Sequence, residues 1–324
     1  MNRRSSKALQ KALSAQLDLK PKYTTGNQRY YRLWMTLEAF EPYGNLQTRS
    51  QWRGDFQRVV ESVDASGRAE ERITWKNIGI RTWLTVEARY GAHEVLPWAE
   101  GFSYRFSAED NYDELDWDYS SLPGEFTGRI FRTAFQVSAH MEFDFLRSSR
   151  HAAIEKLRRV GEVLHDPPEE GAVFSLDFPP LFTNSRIERK HVQVGLLGLT
   201  LADGEPCALL DYQQGPQDFS WTELAGPLEG EPGHETVKVD LKSWQQGVFT
   251  VRVVDGSLVH GEFTEWHMIK RAPAAGGAAM ANYSRGIWGV QEIAAKDYAV
   301  GLESWGDEQI PFPQFRPEAS QTSG

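Results

Sequence analysis

The chain has 324 residues, a formal net charge of -10 and a single cysteine, Cys207. That length allows one large domain or two ordinary ones. The acidic balance supplies no concentrated positive patch for phosphates and argues against nucleic acid as the main partner. One cysteine excludes an intramolecular disulfide and a cysteine metal cluster. Apolar residues make up 40% of the chain and aromatic residues 12%, and the aromatics favour pleated surfaces over helices.

Residues 1–22 carry Leu9, Leu13 and Leu17 every four positions, beside Ala8 and Ala12. This is one apolar stripe of a short helix, made basic by Arg3, Arg4, Lys7 and Lys11. From Tyr30 the period changes to two. Tyr31, Leu33, Met35, Leu37 and Ala39 take one face, while Arg32, Thr36 and Glu38 take the other, with Trp34 on the wetter side. A second strand is expected over 52–63, a turn at Asp64-Ala65-Ser66-Gly67, and a return strand through Ala69, Glu71, Ile73 and Trp75. Leu84, Val86, Ala88 and Tyr90 alternate as a further strand.

Residues 91–128 follow no clean period and read as a long loop or an irregular crossing covered by aromatics. Residues 131–145 then alternate cleanly, with Phe131, Phe135, Val137, Ala139, Met141, Phe143 and Phe145 on one face. Ile154, Leu157, Gly161 and Leu164 have helical spacing, so a helix is expected over 149–164, stopped by Pro167-Pro168.

The second half returns to strands. Val194–Leu201 and Cys207–Tyr212 flank an Asp203-Gly204 turn, and Val248–Val254 and Leu258–Ile269 flank Asp255-Gly256. Residues 272–281 are small and unpatterned, a linker or a loop.

The fold class expected is mainly β (α+β): curved antiparallel sheets with one central helix and a short N-terminal helix. The expected organisation is a basic amphipathic helix (1–22), a first β-rich domain (23–146), a connecting helix (147–168), a second β-rich domain (169–271) and a linker-like segment with a tail (272–324). No run of ~18 apolar residues marks a membrane span, and the N-terminus lacks a secretory core. The chain therefore reads as cytoplasmic, or as one from which a leader has been removed.

Three groups of residues carry candidate chemistry. His140, Glu142 and Asp144 alternate onto one face of the 131–145 strand, where imidazole and carboxylates can hold a divalent metal or share a proton; a plain wet strand face has the same pattern. His260, Glu262 and Trp266 share a face of the later hairpin, with His267 on the other. Trp98, Tyr112 and Trp117 stand near several aspartates, a composition that binds sugars or amines or simply pins a loop. No nucleotide, metalloprotease or serine-hydrolase motif is present, and nothing names a cofactor.

Two functions follow as expectations. The first is a non-catalytic binding module for an apolar, lipid-like ligand or for a protein partner. The second is a hydrolase, or another enzyme, built on His140, Glu142 and Asp144 with or without a metal.

Overall fold

The computed structural model describes residues 9, 12, 16–42, 44–84, 89–92, 94–96, 100–107, 117–118, 153–166, 173–174, 182–188, 191–225, 235–273 and 277–300. In chain order the strands are β1 (Gln28–Phe40), β2 (Leu46–Val63), β3 (Ala69–Leu84), β4 (Arg89–Tyr90), β5 (Glu94–Val95), β6 (Ser103–Phe106) and β7 (Trp117–Asp118). They continue as β8 (Val163–Asp166), β9 (Val173–Phe174), β10 (Phe182–Glu188), β11 (Val192–Ala202), β12 (Glu205–Ala225), β13 (Glu235–Arg252), β14 (Leu258–Pro273) and β15 (Met280–Ile293). A single helical turn, α1 (Ala295–Ala299), follows β15.

These strands lie in one large open antiparallel sheet, in the order β7-β6-β3-β2-β1-β15-β14-β13-β12-β10-β9, with β11 beside β12 and β8 beside β11. The expected mainly β class is what the structure shows, but as one sheet, not a pair. β15 falls in the span expected to be linker and tail, and it pairs with β1 on one edge and β14 on the other. Of the residues expected as a linker or loop, 272–273 end β14 and 280–281 begin β15, and residues 277–279 have no regular structure.

The turns form as their chemistry dictates. Asp64 Oδ1 accepts hydrogen bonds from the backbone of Ser66 (2.8 Å) and Arg68 (2.9 Å), which closes the β2–β3 turn. Asp203 and Gly204 both take the left-handed conformation, φ 51° and 83°, that a two-residue β11–β12 hairpin requires.

One face of the sheet is apolar, and its residues form a single cluster from β3 to β11. Tyr31, Leu33 and Met35 enter it from β1 in the expected alternation. Phe56 stacks on Tyr31 with ring centroids 5.1 Å apart, and Phe263 stacks on Trp288 at 5.7 Å. We call this the inner face. Trp34, expected on the wetter side, is buried on the opposite face. Its indole lies over Gly289, where an added Cβ would come within 2.2 Å of the ring.

The outer face of β1–β3 and β15 carries buried charge that is paired across strands. Arg32 donates to both oxygens of Asp55 at 2.7 and 3.0 Å, and Asn77 Nδ2 donates to Asp55 at 3.0 Å. Glu38 accepts from Arg49 on β2 (2.9 Å) and Arg285 on β15 (2.8 Å). Such cross-strand pairs fix register where apolar packing alone would not.

Two helical expectations are corrected. In the region of the expected central helix, residues 153–166 hold only a 3-10 turn at Ile154–Lys156, followed by β8. Gly161 stands at φ +85°, which ends any helix there, and Val163–Asp166 pair with Val192–Gly195 of β11. The helical spacing arose because Ile154 and Leu157 both enter the core from the turn. At the N-terminus Leu9 and Ala12 are helical, but residues 16–24 are not. Leu17 leaves the expected stripe and, with Leu19, packs into the core, its N–H donating to Arg158 O at 3.0 Å.

Candidate functional site

Of the residues singled out by pattern, Trp98, Tyr112, His140, Glu142 and Asp144 lie outside the described residues. Trp117 is placed only through its backbone, which pairs with Tyr104, and its side chain lies outside the described residues. His260 and Glu262 do come together on the outer face of β14, with Nε2 and Oε1 3.4 Å apart. The Trp34 ring lies 6.1 Å from the His260 ring. Among the described residues, no three His, Cys, Asp or Glu side chains gather as metal donors.

A different site emerges from an irregularity in β12. Gln213 pairs with Gln246 and Gln214 with Gln245, but the next pair is Gln217 with Ser243. Gly215 and Pro216 therefore bulge opposite the single residue Trp244. Proline has no N–H for the ladder and glycine no side chain, so the bulge leaves a gap beside the indole. On the other edge of β12 the described ladder with β11 ends at Gln214 and that with β10 starts at Asp218, while the Gly215 N–H donates to His191 O at 3.1 Å.

The notch is a cleft of about 370 Å³ lined by Gln213, Gln214, Pro216, Trp244, Gln245 and Gln246, with Lys242 at its side. That volume is within the rough 300–1,000 Å³ range of ligand pockets. Trp244 is held by stacking on Trp266, with centroids 5.9 Å apart and planes 11° apart. Period-two alternation puts Trp244 and Gln246 on the outer face and Gln245 on the inner. The cleft therefore reaches side chains of both faces. Tyr212 OH donates to Gln214 Oε1 at 3.0 Å and orients that amide. Lys242 Nζ is 3.4 Å from Asp218 Oδ1, an exposed pair at the rim.

Gln245 connects the cleft to a buried carboxylate. Its Nε2 donates to Glu265 Oε1 at 2.9 Å, and the Ser243 hydroxyl donates to the same oxygen. His267 Nε2 stands 3.0 Å from it. Burial pushes the Glu265 carboxyl up, but the His267 charge and the three hydrogen-bond donors outweigh burial and hold it down at about 2. His267 Nδ1 in turn lies 3.1 Å from Ser284 Oγ.

A second, smaller cavity of about 30 Å³ lies at the other end of the sheet beside Arg58, Glu71, Tyr23 and Arg29. It has room for one or two waters and not for an organic ligand. Arg58 Nη2 donates to both oxygens of Glu71 at 2.7 Å, and its buried Nε has no hydrogen-bond partner among the described residues. Cys207 is buried, and burial pushes its thiol up to about 11, so it is inert packing at neutral pH.

The notch is absent from the residues singled out by pattern, although it left a signal in the sequence. Gln213-Gln214-Gly215-Pro216 interrupts the strand with a proline, and Gln245-Gln246-Gly247 repeats the amide pair on β13. A Pro inside a strand pattern marks a bulge or an edge, and here it marks a bulge.

The fold and cleft define an antiparallel β protein with an open, amide-rich notch, and no known family or curated protein matches the chain. Among solved structures it is similar at 13% identity to a candidate lipoprotein of Parabacteroides distasonis, over 83% of this chain and 96% of that one, with a TM-score of 0.17. It is similar at 10% identity to a loop-deleted OmpT, an outer membrane protein of Vibrio cholerae, over 83% and 100% of the two chains, with a TM-score of 0.21. A DUF1329 family protein of Desulfovibrio piger gives 8% identity over 90% and 91%, with a TM-score of 0.13. Superposition this poor carries neither fold nor function from those proteins to this one.

Proposed function

We propose that the chain is a binding module that holds a small, neutral, polyhydroxyl ligand, such as a sugar ring, in the notch of β12. The observation that carries this reading is the Gly215-Pro216 bulge facing Trp244, which leaves indole surface open beside facing pairs of glutamines. An indole face suits the C–H face of a sugar, and amides both donate to and accept from adjacent hydroxyls. Among the described residues the charged side chain lining the cleft is Lys242, and Asp218 Oδ1, 3.4 Å from its Nζ, offsets that charge, which favours a neutral ligand over an anion.

A lipid-like ligand has less support. The inner-face aromatics Phe249, Phe263 and Trp288 are buried and pack on one another at 5.7 Å, so they fill the space that an acyl chain would need.

Saturation-transfer NMR with a panel of neutral mono- and disaccharides tests the reading. At least one sugar is expected to receive saturation at its ring protons, and Trp244→Ala is expected to weaken that binding at least tenfold. Trp83→Ala, on the distant β3, is the control and keeps it. Failure of the whole panel at millimolar concentration, or undiminished binding in Trp244→Ala, contradicts the proposal.

A further inference from the structure

The inner face of β14 and β15 holds a hydrogen-bonded chain that ligand binding in the notch does not require. His267 and Ser284 are direct cross-strand partners, and Glu265 stands two residues before His267 on the same face. Glu265 Oε1 lies 3.0 Å from His267 Nε2, and His267 Nδ1 lies 3.1 Å from Ser284 Oγ.

The protons in this chain are fixed by the carboxylate. Glu265 is ionised and so accepts only. His267 Nε2 then carries the proton it donates, and once the ring has lost its second proton Nδ1 holds the lone pair. In that neutral form the Ser284 hydroxyl is the donor to the lone pair. Access follows the same order. The Glu265 side chain is 8% exposed and that of His267 21%, while Ser284 is partly exposed. A buried acid orients a base, and the base faces a reachable hydroxyl, which is the arrangement of an activated nucleophile.

We propose that Ser284 is a nucleophile, activated by His267 and oriented through Glu265, that accepts acyl groups from activated carboxylic esters. In the first step the Ser284 Oγ–C bond forms, the ester C–O bond breaks, and the hydroxyl proton passes through His267 to the departing alcohol. Water then adds to the acyl-serine and releases the carboxylic acid, returning the proton to Ser284. β15 is paired along both edges, so its backbone offers no free pair of N–H groups to a tetrahedral oxyanion. Turnover is therefore slow and confined to esters with good leaving groups. The inference stands independently of the sugar-binding reading.

The test is covalent labelling of the full chain with a fluorophosphonate, in which the Oγ–P bond forms and fluoride leaves. Peptide mass spectrometry is expected to find the adduct on the peptide holding Ser284, absent in Ser284→Ala and at least tenfold slower to form in His267→Gln. Ser284→Cys supplies a second reading that retains His267 and Glu265. Its new thiol is expected to react with iodoacetamide at least tenfold faster than a free cysteine in solution. No adduct at Ser284 under conditions that fully label a known serine hydrolase overturns the proposal. So does a Ser284→Cys thiol no more reactive than free cysteine.

Discussion

Glu265 shows how one buried side chain sets the chemistry of its surroundings. Groups from three strands meet here: Ser243 and Gln245 on β13, His267 and the carboxylate itself on β14, and Ser284 on β15 through His267. The folded carboxyl is held at about 2 against an ordinary value of 4.5, so its contribution to stability is fully present above pH 4.5. It is lost as pH falls from about 4.5 to about 2. A tenfold change in proton affinity is worth about 1.4 kcal/mol, which makes the loss on the order of 3 kcal/mol. Glu265→Gln, followed by denaturant unfolding at several pH values, is expected to be less stable than the parent at pH 7 and to converge on it below pH 3. A constant difference between the two across that window would contradict the assignment. Arg58 and Glu71 make a second prediction at this scale. Their pair is almost fully buried, so Glu71→Gln strands a guanidinium and is expected to cost about 3–5 kcal/mol. Urea unfolding measures that loss, and a loss under ~1 kcal/mol would mean that the guanidinium finds water.

Among the elements, the strands are held in register by glycines that lie beneath aromatic rings. An added Cβ at Gly247 would meet the Phe263 ring at 2.3 Å and the Glu262 carbonyl oxygen at 2.6 Å. The second contact is backbone and cannot swing aside. Gly247→Ala is therefore expected to destabilise by roughly 1–3 kcal/mol or more, read from the shift in thermal midpoint. Gly198→Ala on β11 is its control, since an added Cβ there meets no atom within 4 Å. Much of this scale was legible in the sequence. The alternation of Tyr31, Leu33 and Met35 and the turns at Asp64–Gly67, Asp203-Gly204 and Asp255-Gly256 follow from period and turn chemistry, which are local. What was not legible depends on partners distant in the chain. The strand expected to end at Tyr212 runs on to Ala225, because β13 pairs with it on both sides of the Gly215-Pro216 bulge. The helical spacing of Ile154 and Leu157 was real, but three or four apolar residues do not separate a helix from a turn beside a strand. The same limit hid the candidate site. Nothing local ties Ser284 to His267, or Trp244 to Gly215.

For the whole molecule, the pairing of β15 with both β1 and β14 makes the two β-rich halves of the sequence one hydrogen-bonded sheet over one apolar cluster. Unfolding followed by tryptophan fluorescence and by far-ultraviolet circular dichroism is expected to give coincident single transitions. Two separated transitions would show that the halves are stable apart. The notch sits at the Gly215-Pro216 interruption in β12, on the half of this sheet away from the paired charges of β1–β3. The sheet thus supplies a rigid frame, and the bulge supplies the opening. Native mass spectrometry of the gently purified chain, alone and with saturating neutral sugar, tests ligand binding in the notch most directly. The expected result is a mass above that of the bare chain by one ligand, lost on denaturation and absent in Trp244→Ala. A bare-chain mass under every condition, or a ligand retained equally by Trp244→Ala, would contradict it.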